Sequence, residues 1–199
     1  MPDPITVAVL AGGRSSRMGV DKSFVPLLGK TLIDHVLERV SPLGAQTILI
    51  TNRPQDYAHL GLPMFRDVIP DKGSLGGLYT AVTYSPTEHT LCVACDMPFL
   101  NRALLEHLIS LREGFDVIVP RINRFPEALH AVYSKACLGP MREKIEQDRL
   151  KAIGFYGKVR VRFVEEAEVR RYDPGLRSFV NINTPQELAE EQRRSAEAE

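Results

Sequence analysis

Short apolar segments alternate with amphipathic ones along the chain, and this alternation constrains the fold more than any other feature. Ile5–Leu10 is a β-branched run that stops before Gly12, which is typical of a buried strand. Thr31–Val40 follows with apolar residues at helical spacing. The same patterns predict further strands at 47–50, 64–66, 90–94, 116–119, 128–133 and 159–164, and a short extended stretch at 179–182. Alternating strands and helices form βαβ units, so we predict a Rossmann-like α/β fold: a three-layer α/β/α sandwich around a mostly parallel sheet.

Two later helices carry recognisable start signals. Asn101 is placed to cap a helix that runs to about Leu111. Thr184-Pro185-Gln186-Glu187 combines a capping box with a proline at the first helical position. Other helices are predicted at about 55–60, 75–84 and 135–148. Ligands bind outside the carboxyl ends of strands in such sheets. The rule therefore predicts ligand-binding residues just after Leu10, Ile50, Arg66 and Ala94.

Size and charge restrict the classes of protein that fit. The 199 residues suffice for a single domain, which we divide into a nucleotide-binding part of about 1–115 and an acceptor-binding part of about 116–199. The 25 basic and 25 acidic side chains cancel, which disfavours a nucleic-acid partner. No apolar run approaches a membrane span, and the first four residues lack the basic region of a signal peptide. Three cysteines form no disulfide framework, so a reducing cytoplasm is the expected location.

The glycine-rich segment after the first strand matches neither common phosphate-binding loop. Arg14 occupies the position of the second glycine in the dinucleotide pattern, and Val20 replaces the lysine of the Walker pattern. The composition still suits phosphate, because adjacent glycines let backbone N–H groups approach an anion and Arg14, Arg17 and Lys22 supply cations. By composition alone, a solvated loop is an equally good interpretation.

The complete segment, LAGGRSSRMGVDK, resembles the opening motif of the NTP-transferase family, in particular the LAGGxSxRMGxDK motif of the molybdenum cofactor guanylyltransferases. The resemblance implies a nucleotidyltransferase fold and a loop of nucleotide-binding residues: Leu10, Ala11, Gly12 and Gly13. It also implies that Lys22 reaches the phosphates. Either Arg17 or Arg14 would then help Lys22 to offset charge on the leaving pyrophosphate.

Two aspartates follow predicted strands. Asp67 precedes Gly73-Ser74-Leu75-Gly76-Gly77, and the block resembles the family segment whose aspartate contacts GTP, with serine where proline is frequent. Asp96 follows a buried strand and opens Asp96-Met97-Pro98-Phe99. Mg²⁺ prefers one or two carboxylates together with phosphate oxygens and waters. The C-D-x-P-[FY] resemblance implies that Asp96 binds both Mg²⁺ and the nucleotide.

The remaining cysteine and asparagine signals are weaker. Cys92 and Cys95 point to opposite faces of a strand, which favours buried structural thiols over a zinc or redox pair. Some family members have an additional nucleotide-binding asparagine near the end of the second strand. Asn52 lies in that region, but its register is not fixed by the sequence.

The second half of the chain holds the predicted acceptor side. His130 belongs to a segment that resembles the family block P-x-x-L-H-A-x-Y, and it either contacts an acceptor phosphate or is a hydrogen-bonded structural histidine. Arg121 and Arg124 either attract an anionic acceptor or face solvent. Asn181 and Asn183 lie in FVNINTPQEL, which resembles another family block. Their amides either bind the acceptor or metal, or shape the turn before the last helix.

Together these resemblances imply a Mg²⁺-dependent enzyme that transfers GMP from GTP to the phosphate of molybdopterin or Mo-molybdopterin. Proteins that make or deliver the molybdenum cofactor are implied as partners, whereas nucleic acid and membrane are not. Two alternatives remain open from the residues: a transferase with another nucleotide, such as CTP, and a regulatory module that binds nucleotide without catalysis.

Overall fold

The computed structural model describes residues 3–11 and 22–196. Its strands are β1 (Ile5–Leu10), β2 (Pro26–Leu27), β3 (Lys30–Thr31), β4 (Gln46–Ile50), β5 (Met64–Phe65), β6 (His89–Ala94), β7 (Val117–Ile122), β8 (Phe125–Pro126), β9 (His130–Ser134) and β10 (Val161–Glu165). Its α-helices are α1 (Leu32–Val40), α2 (Gly73–Tyr84), α3 (Arg102–Ser110), α4 (Leu138–Glu146), α5 (Glu166–Val169) and α6 (Pro185–Ala196). The predicted elements therefore exist, with most boundaries shifted by one to three residues.

One sheet combines strands from both halves of the chain, in the order β10-β7-β9-β6-β1-β4-β5, with β8 paired to β7. β1, β4, β5 and β6 are parallel neighbours, and β7 is parallel to β10. β9 is antiparallel to both β6 and β7. Its direction follows from its connection, since the segment between Ile122 and His130 is shorter than the dozen or more residues of a parallel crossover. β2 and β3 form a separate antiparallel pair.

Helices cover both faces of this sheet, as predicted for three layers. Alternate side chains of β1 enter two different cores: Val7 and Val9 pack with residues of α1 and α3, whereas Ala8 and Leu10 pack with residues of α2 and α4. A strand buried on both faces is continuously apolar, which explains the ITVAVL run. No helix within residues 3–11 and 22–196 has the length and apolar character to cross a membrane.

The predicted helix caps are present. The Asn101 side chain accepts a hydrogen bond from the Leu104 backbone N–H (3.1 Å) at the start of α3. At the start of α6, Thr184 Oγ1 accepts from the Glu187 N–H (3.2 Å), and Glu187 Oε2 accepts from the Thr184 N–H (3.0 Å). Because these bonds satisfy otherwise unpaired N–H groups, short sequence motifs determine where both helices begin.

Three local predictions need correction. β7 continues beyond residue 119 to Ile122 and turns through Asn123 and Arg124, whose φ angles of 47° and 70° make a tight hairpin to β8. The 135–148 segment begins as a 3₁₀ turn (Lys135–Cys137) before α4. The extended stretch predicted at 179–182 begins one residue later, because Phe179 ends a 3₁₀ turn (Arg177–Phe179) and Val180 is the first extended residue; the stretch is not part of the sheet.

Candidate active site

A cleft of about 620 Å³ opens at the carboxyl edge of the sheet, where the strand rule places ligands. Residues at or just after the ends of three parallel strands line it: Leu10, Ile50, Thr51, Asn52, Ala94, Cys95 and Asp96. The first turn of α2 forms one wall, and Leu129 and Leu150 contribute from the second half of the chain. An ion pair between Lys72 and Asp148 (2.9 Å) ties the segment carrying Leu150 to the start of α2.

Lys22, Asp96 and Asn183 meet in this region although they come from three distant segments. The Lys22 ammonium donates to Asp96 Oδ2 and to Asn183 Oδ1, the latter over 2.8 Å. The Lys22 and Asp96 side chains are only 18% and 12% exposed. The Asn183 backbone N–H donates to Glu187 Oε2 (2.7 Å), which holds the residue at the start of α6. The amide of Asn183 therefore engages the lysine and does not make a local turn bond.

The second carboxylate oxygen of Asp96 determines what the site can bind. Asp96 Oδ1 is buried and has no hydrogen-bond partner among the described residues. The Asp96 backbone is fixed, since its carbonyl accepts from the Ile182 N–H (3.0 Å). A buried carboxylate oxygen without a partner is costly unless a ligand satisfies it. A hard divalent cation bound through oxygen atoms fits this position.

Within residues 3–11 and 22–196, no group of three or more His, Cys, Asp or Glu side chains could hold a metal by itself. A structural zinc site is therefore not formed by the described part of the chain. A cation held by one carboxylate would draw its other ligands from a bound phosphate and from water, as magnesium usually does.

Asn52 and Asp67 form a second polar contact in the cleft. Asn52 Nδ2 donates to Asp67 Oδ2 (2.8 Å), and the Asp67 backbone N–H donates to Asn52 Oδ1 (3.0 Å). The register of Asn52, which the sequence leaves open, is thus settled by the pairing of β4 with β5. The paired amide holds the Asp67 carboxylate at the cleft, where it can accept hydrogen bonds from a ligand.

The start of α2 lies close against the end of β1. A Cβ atom on Gly77 would lie 2.9 Å from Leu10 Cδ2, so a larger residue there would displace the leucine. Gly73 has a φ of 56°, a conformation that favours glycine. The residue before the helix, Lys72, makes no side-chain capping bond. The N–H groups of the first turn are therefore available to an anionic or polar ligand.

The predicted acceptor residues His130 and Asn181 lie in different surroundings. His130 is fully buried on β9, its ring lies 4.8 Å from that of Phe179, and neither ring nitrogen has a hydrogen-bond partner among the described residues. The hydrogen-bonded structural role is therefore wrong, and the ring has no exposed surface with which to contact an acceptor. Burial lowers the pKa of His130 to about 4, so the imidazole is neutral. Asn181 is half-buried and lies near Asn183 without joining the contact to Lys22.

The two arginines of the acceptor side also differ. Arg121 is paired with Glu165 (Nη2–Oε1 2.5 Å), and its guanidinium lies 4.6 Å from the centre of the Phe163 ring. Arg124 is exposed at the tip of the β7–β8 hairpin. A structural ion pair therefore explains Arg121, whereas the position of Arg124 leaves its charge accessible.

The cysteines are buried and form no disulfide. Cys92 packs in the core with α2 and α4, whereas Cys95 packs in the opposite core. Burial raises the pKa of the Cys137 thiol to about 12 and that of Cys92 further. The expectation of structural thiols is confirmed.

Four of the predicted loop residues lie outside the described residues: Gly12, Gly13, Arg14 and Arg17. Ala11 is buried, and its N–H donates to the Ile50 carbonyl (2.8 Å).

Comparisons with known proteins agree with this geometry. A family model described as "MobA-like NTP transferase domain" matches residues 7–159. A molybdenum cofactor guanylyltransferase from Desulfosudis oleivorans is 36% identical over 188 residues, covering 94% of this chain and 93% of the relative. The solved structure of molybdopterin-guanine dinucleotide biosynthesis protein A from Archaeoglobus fulgidus superposes with a TM-score of 0.83 at 30% identity, covering 96% and 99% of the two chains.

A nucleotidyl transferase from Methanothermobacter is 19% identical with a TM-score of 0.70, covering 98% of this chain and 99% of that one, and it shares the fold. The α/β fold and the cleft at its carboxyl edge are thus those of a nucleotidyltransferase, and the protein is an enzyme of that class. The chain belongs to the MobA-like NTP transferase family, in which its similar curated relatives are named molybdenum cofactor guanylyltransferases. The resemblance inferred from the motifs is confirmed.

Proposed function

We propose that this enzyme transfers GMP from GTP to the phosphate of molybdopterin or Mo-molybdopterin, releasing pyrophosphate and forming a molybdopterin guanine dinucleotide. The observation that carries the proposal is the cluster of Lys22, Asp96 and Asn183, in which one buried oxygen of Asp96 lacks a partner. The curated relatives are named molybdenum cofactor guanylyltransferases, and this name supports the choice of substrates. The cluster provides charges suited to phosphate chemistry.

The nucleotide would lie along the cleft from the Asn52–Asp67 contact to Asp96. By the family resemblance, the backbone of Leu10, Ala11 and Gly12 would contact the base and ribose, with Gly13 in the same nucleotide-binding loop. The Asp67 carboxylate would accept hydrogen bonds from the nucleoside. The uncapped N–H groups of α2 offer further polar contacts. Lys22 then lies on the side of the phosphates, where positive charge is needed, and the family resemblance assigns the same task to Arg17.

The reaction requires positioning more than proton transfer. An oxygen of the pterin phosphate attacks the α-phosphorus, a new P–O bond forms, and the bond to the bridging oxygen of pyrophosphate breaks. The nucleophile is already anionic, so no general base is needed. Lys22 offsets the charge that develops on pyrophosphate, and Asn183 orients the Lys22 ammonium.

We propose Mg²⁺ as the cation at Asp96. The unpartnered Oδ1 atom would be its protein ligand, and Lys22 would remain on the Oδ2 side. When bound, Mg²⁺ supplies Lewis-acid neutralisation of charge on the phosphate oxygens. The acceptor would approach past Leu129, with Asn181 and Asn183 on the adjoining segment. His130 is buried and would not contact it. Cofactor-synthesis or delivery proteins in a reducing cytoplasm would bring the pterin.

Pyrophosphate release by the purified protein tests the proposal directly, with Mg²⁺, molybdopterin and either GTP, CTP or ATP. Release that requires the pterin and prefers GTP is the expected result. Preference for CTP would keep the chemistry and change the product. Tight nucleotide binding without release, in the presence of active pterin, would contradict catalysis on this acceptor and favour a regulatory role.

A further inference from the structure

A buried hydrogen-bond chain underlies the turn that carries Lys22. Tyr57 Oη donates to Ser23 Oγ (2.9 Å), and Ser23 Oγ donates to Cys95 Sγ (3.2 Å). All three side chains are buried, and Tyr57 has no exposed surface. These hydrogen bonds join three segments: the 3₁₀ turn Lys22–Phe24, the 3₁₀ helix Pro54–Leu60 and the residue after β6.

The hydrogen bonds from Tyr57 through Ser23 to Cys95 connect the same two segments as the ion pair between Lys22 and Asp96. Ser23 directly follows Lys22, and Cys95 directly precedes Asp96. The contact between Lys22 and Asp96 lies at the cleft, and the contact between Ser23 and Cys95 lies in the interior. Phe24 adds an apolar contact to the same anchor, because its ring lies 4.8 Å from that of Tyr57.

We propose that Tyr57 and Ser23 are positioning residues that hold the Lys22 turn in place, so that the ammonium stays at Asp96 during phosphoryl transfer. The proposal rests on the proposed function, because that function places the phosphates at Lys22. A lysine on a flexible four-carbon stem loses conformational freedom when it binds a phosphate. A backbone held by buried hydrogen bonds reduces this cost and keeps the charge within reach of the transition state.

The hydroxyl group of Tyr57 is the informative feature. Phenylalanine would fill nearly the same apolar volume without a polar atom to desolvate, so packing alone does not require the hydroxyl. The bond to Ser23 couples the Pro54–Leu60 helix to the Lys22 turn in a defined geometry. Buried polar networks of this kind specify one arrangement of the elements that they join.

Tyr57→Phe is the first variant to test, with Tyr172→Phe as the matched control. Tyr172 also has a partly buried hydroxyl, 3.1 Å from His107 Nδ1, and it does not line the cleft. We expect Tyr57→Phe to weaken the affinity for GTP with Mg²⁺ by about three- to tenfold, the equivalent of one net hydrogen bond, and to lower kcat by a smaller factor. Tyr172→Phe should leave both parameters unchanged at a temperature where all proteins are folded.

A double-mutant cycle separates positioning from a general loss of structure. The affinity for a fluorescent GTP analogue with Mg²⁺ is measured for wild type, Tyr57→Phe, Lys22→Met and the double variant. If Tyr57 acts through Lys22, the tyrosine change weakens binding or transfer in the wild-type background and has no further effect once Lys22 is gone.

An unchanged kcat and affinity in Tyr57→Phe would overturn the proposal, and so would a full additional loss in the Lys22→Met background. Failure of the proposed function gives a different result, because wild type itself would then bind nucleotide without transferring it to the pterin. In that case the binding cycle alone decides whether Tyr57 positions Lys22.

Discussion

The two oxygens of the Asp96 carboxylate have different surroundings. One carboxylate oxygen contacts the Lys22 ammonium, and the other is buried without a partner among residues 3–11 and 22–196. A buried carboxylate oxygen without a hydrogen-bond partner lowers the free energy of unfolding, and a bound cation would remove this penalty. At this scale the chemistry depends on single atoms, so single conservative substitutions test it.

Asp96→Asn keeps the shape of the side chain and removes its charge. We expect transfer to fall by at least about 100-fold, because both the cation and the orientation of Lys22 depend on the carboxylate. Initial rates of pyrophosphate release measure the effect, and circular dichroism verifies the fold. Turnover near the wild-type rate would remove Asp96 from the metal site.

Asn52→Ala should act mainly on nucleotide binding. Without the amide, Asp67 loses two hydrogen bonds that hold it at the cleft, one to its carboxylate and one from its backbone N–H. We expect KM for GTP to rise by about five- to thirtyfold with a smaller change in kcat, since one lost bond is worth about 1 kcal/mol and both together about 2 kcal/mol. Gln55→Ala, an exposed residue on the following turn, is the control. A pure kcat effect at constant KM would contradict the assignment.

His130 should make stability depend on pH. Burial lowers its folded-state pKa from 6.5 to about 4, so the unfolded chain takes up the proton first as pH falls. Its contribution is therefore fully present above pH 6.5 and decreases toward pH 4, by roughly 3 kcal/mol in total. We expect His130→Leu to flatten the pH dependence of the free energy of unfolding across this range.

The same variant tests the acceptor role. Because the ring is buried, His130→Leu should transfer GMP at a near-normal rate at pH 7.5. Loss of activity with an unchanged nucleotide affinity and an unchanged melting temperature would return His130 to the acceptor site.

At the scale of elements, the ends of helices determine how the layers are joined. α2 begins at the cleft with no side-chain cap, and its C-terminal end contacts Lys135, which lies just before α4. The Lys135 ammonium donates to three carbonyls at this end: Val82 (2.5 Å), Thr83 (3.2 Å) and Ser85 (2.6 Å). A cation at a helix C-terminus satisfies unpaired carbonyls and interacts favourably with the helix dipole. Burial lowers the pKa of Lys135, and the charge of Glu88 opposes this shift.

Lys135→Met should therefore destabilise the fold by about 1–3 kcal/mol, because it leaves these carbonyls without a charged donor. Urea unfolding measures the difference. Lys30→Met provides the comparison, since Lys30 and Glu38 form an exposed ion pair whose loss should cost under about 1 kcal/mol. Equal effects of the two substitutions would show that the Lys135 contacts add no particular stability.

At the scale of the whole molecule, the two halves of the chain share one sheet. β7, β9 and β10 extend the sheet that β1, β4, β5 and β6 begin, and β9 lies directly against β6. The cleft likewise takes residues from both halves, as Leu129 and Leu150 show. The described residues of the two predicted parts of the chain are thus joined by one continuous hydrogen-bonded sheet.

Such a sheet should unfold cooperatively. We expect urea transitions followed by far-UV circular dichroism and by tyrosine fluorescence to coincide. GTP with Mg²⁺ at 100 times its Kd should raise the free energy of unfolding by about 2.7 kcal/mol and shift both curves together. Separate midpoints for the two probes would indicate that the halves unfold independently.

Much of the fold could be predicted from the sequence because its signals are local. Ile5–Leu10 is apolar at every position, since a central parallel strand is buried on both faces. Asn101 and the Thr184–Glu187 box begin helices through bonds that span three residues. The motif blocks likewise indicated the family, and those at Leu10, Asp67 and Asp96 indicated the carboxyl edge of the sheet, because they lie at the ends of recognisable strands.

Other features depend on contacts between distant segments, which no local pattern encodes. The position of β9 between β6 and β7 depends on which strands pair across the sheet. Lys22 and Asn183 are 161 residues apart in sequence and 2.8 Å apart in space. The partner of Asn52 is set by the alignment of β4 with β5, and the burial of His130 by the packing of Phe179. Periodicity and capping determine elements, whereas only tertiary packing decides which side chains meet in the cleft and which are buried away from it.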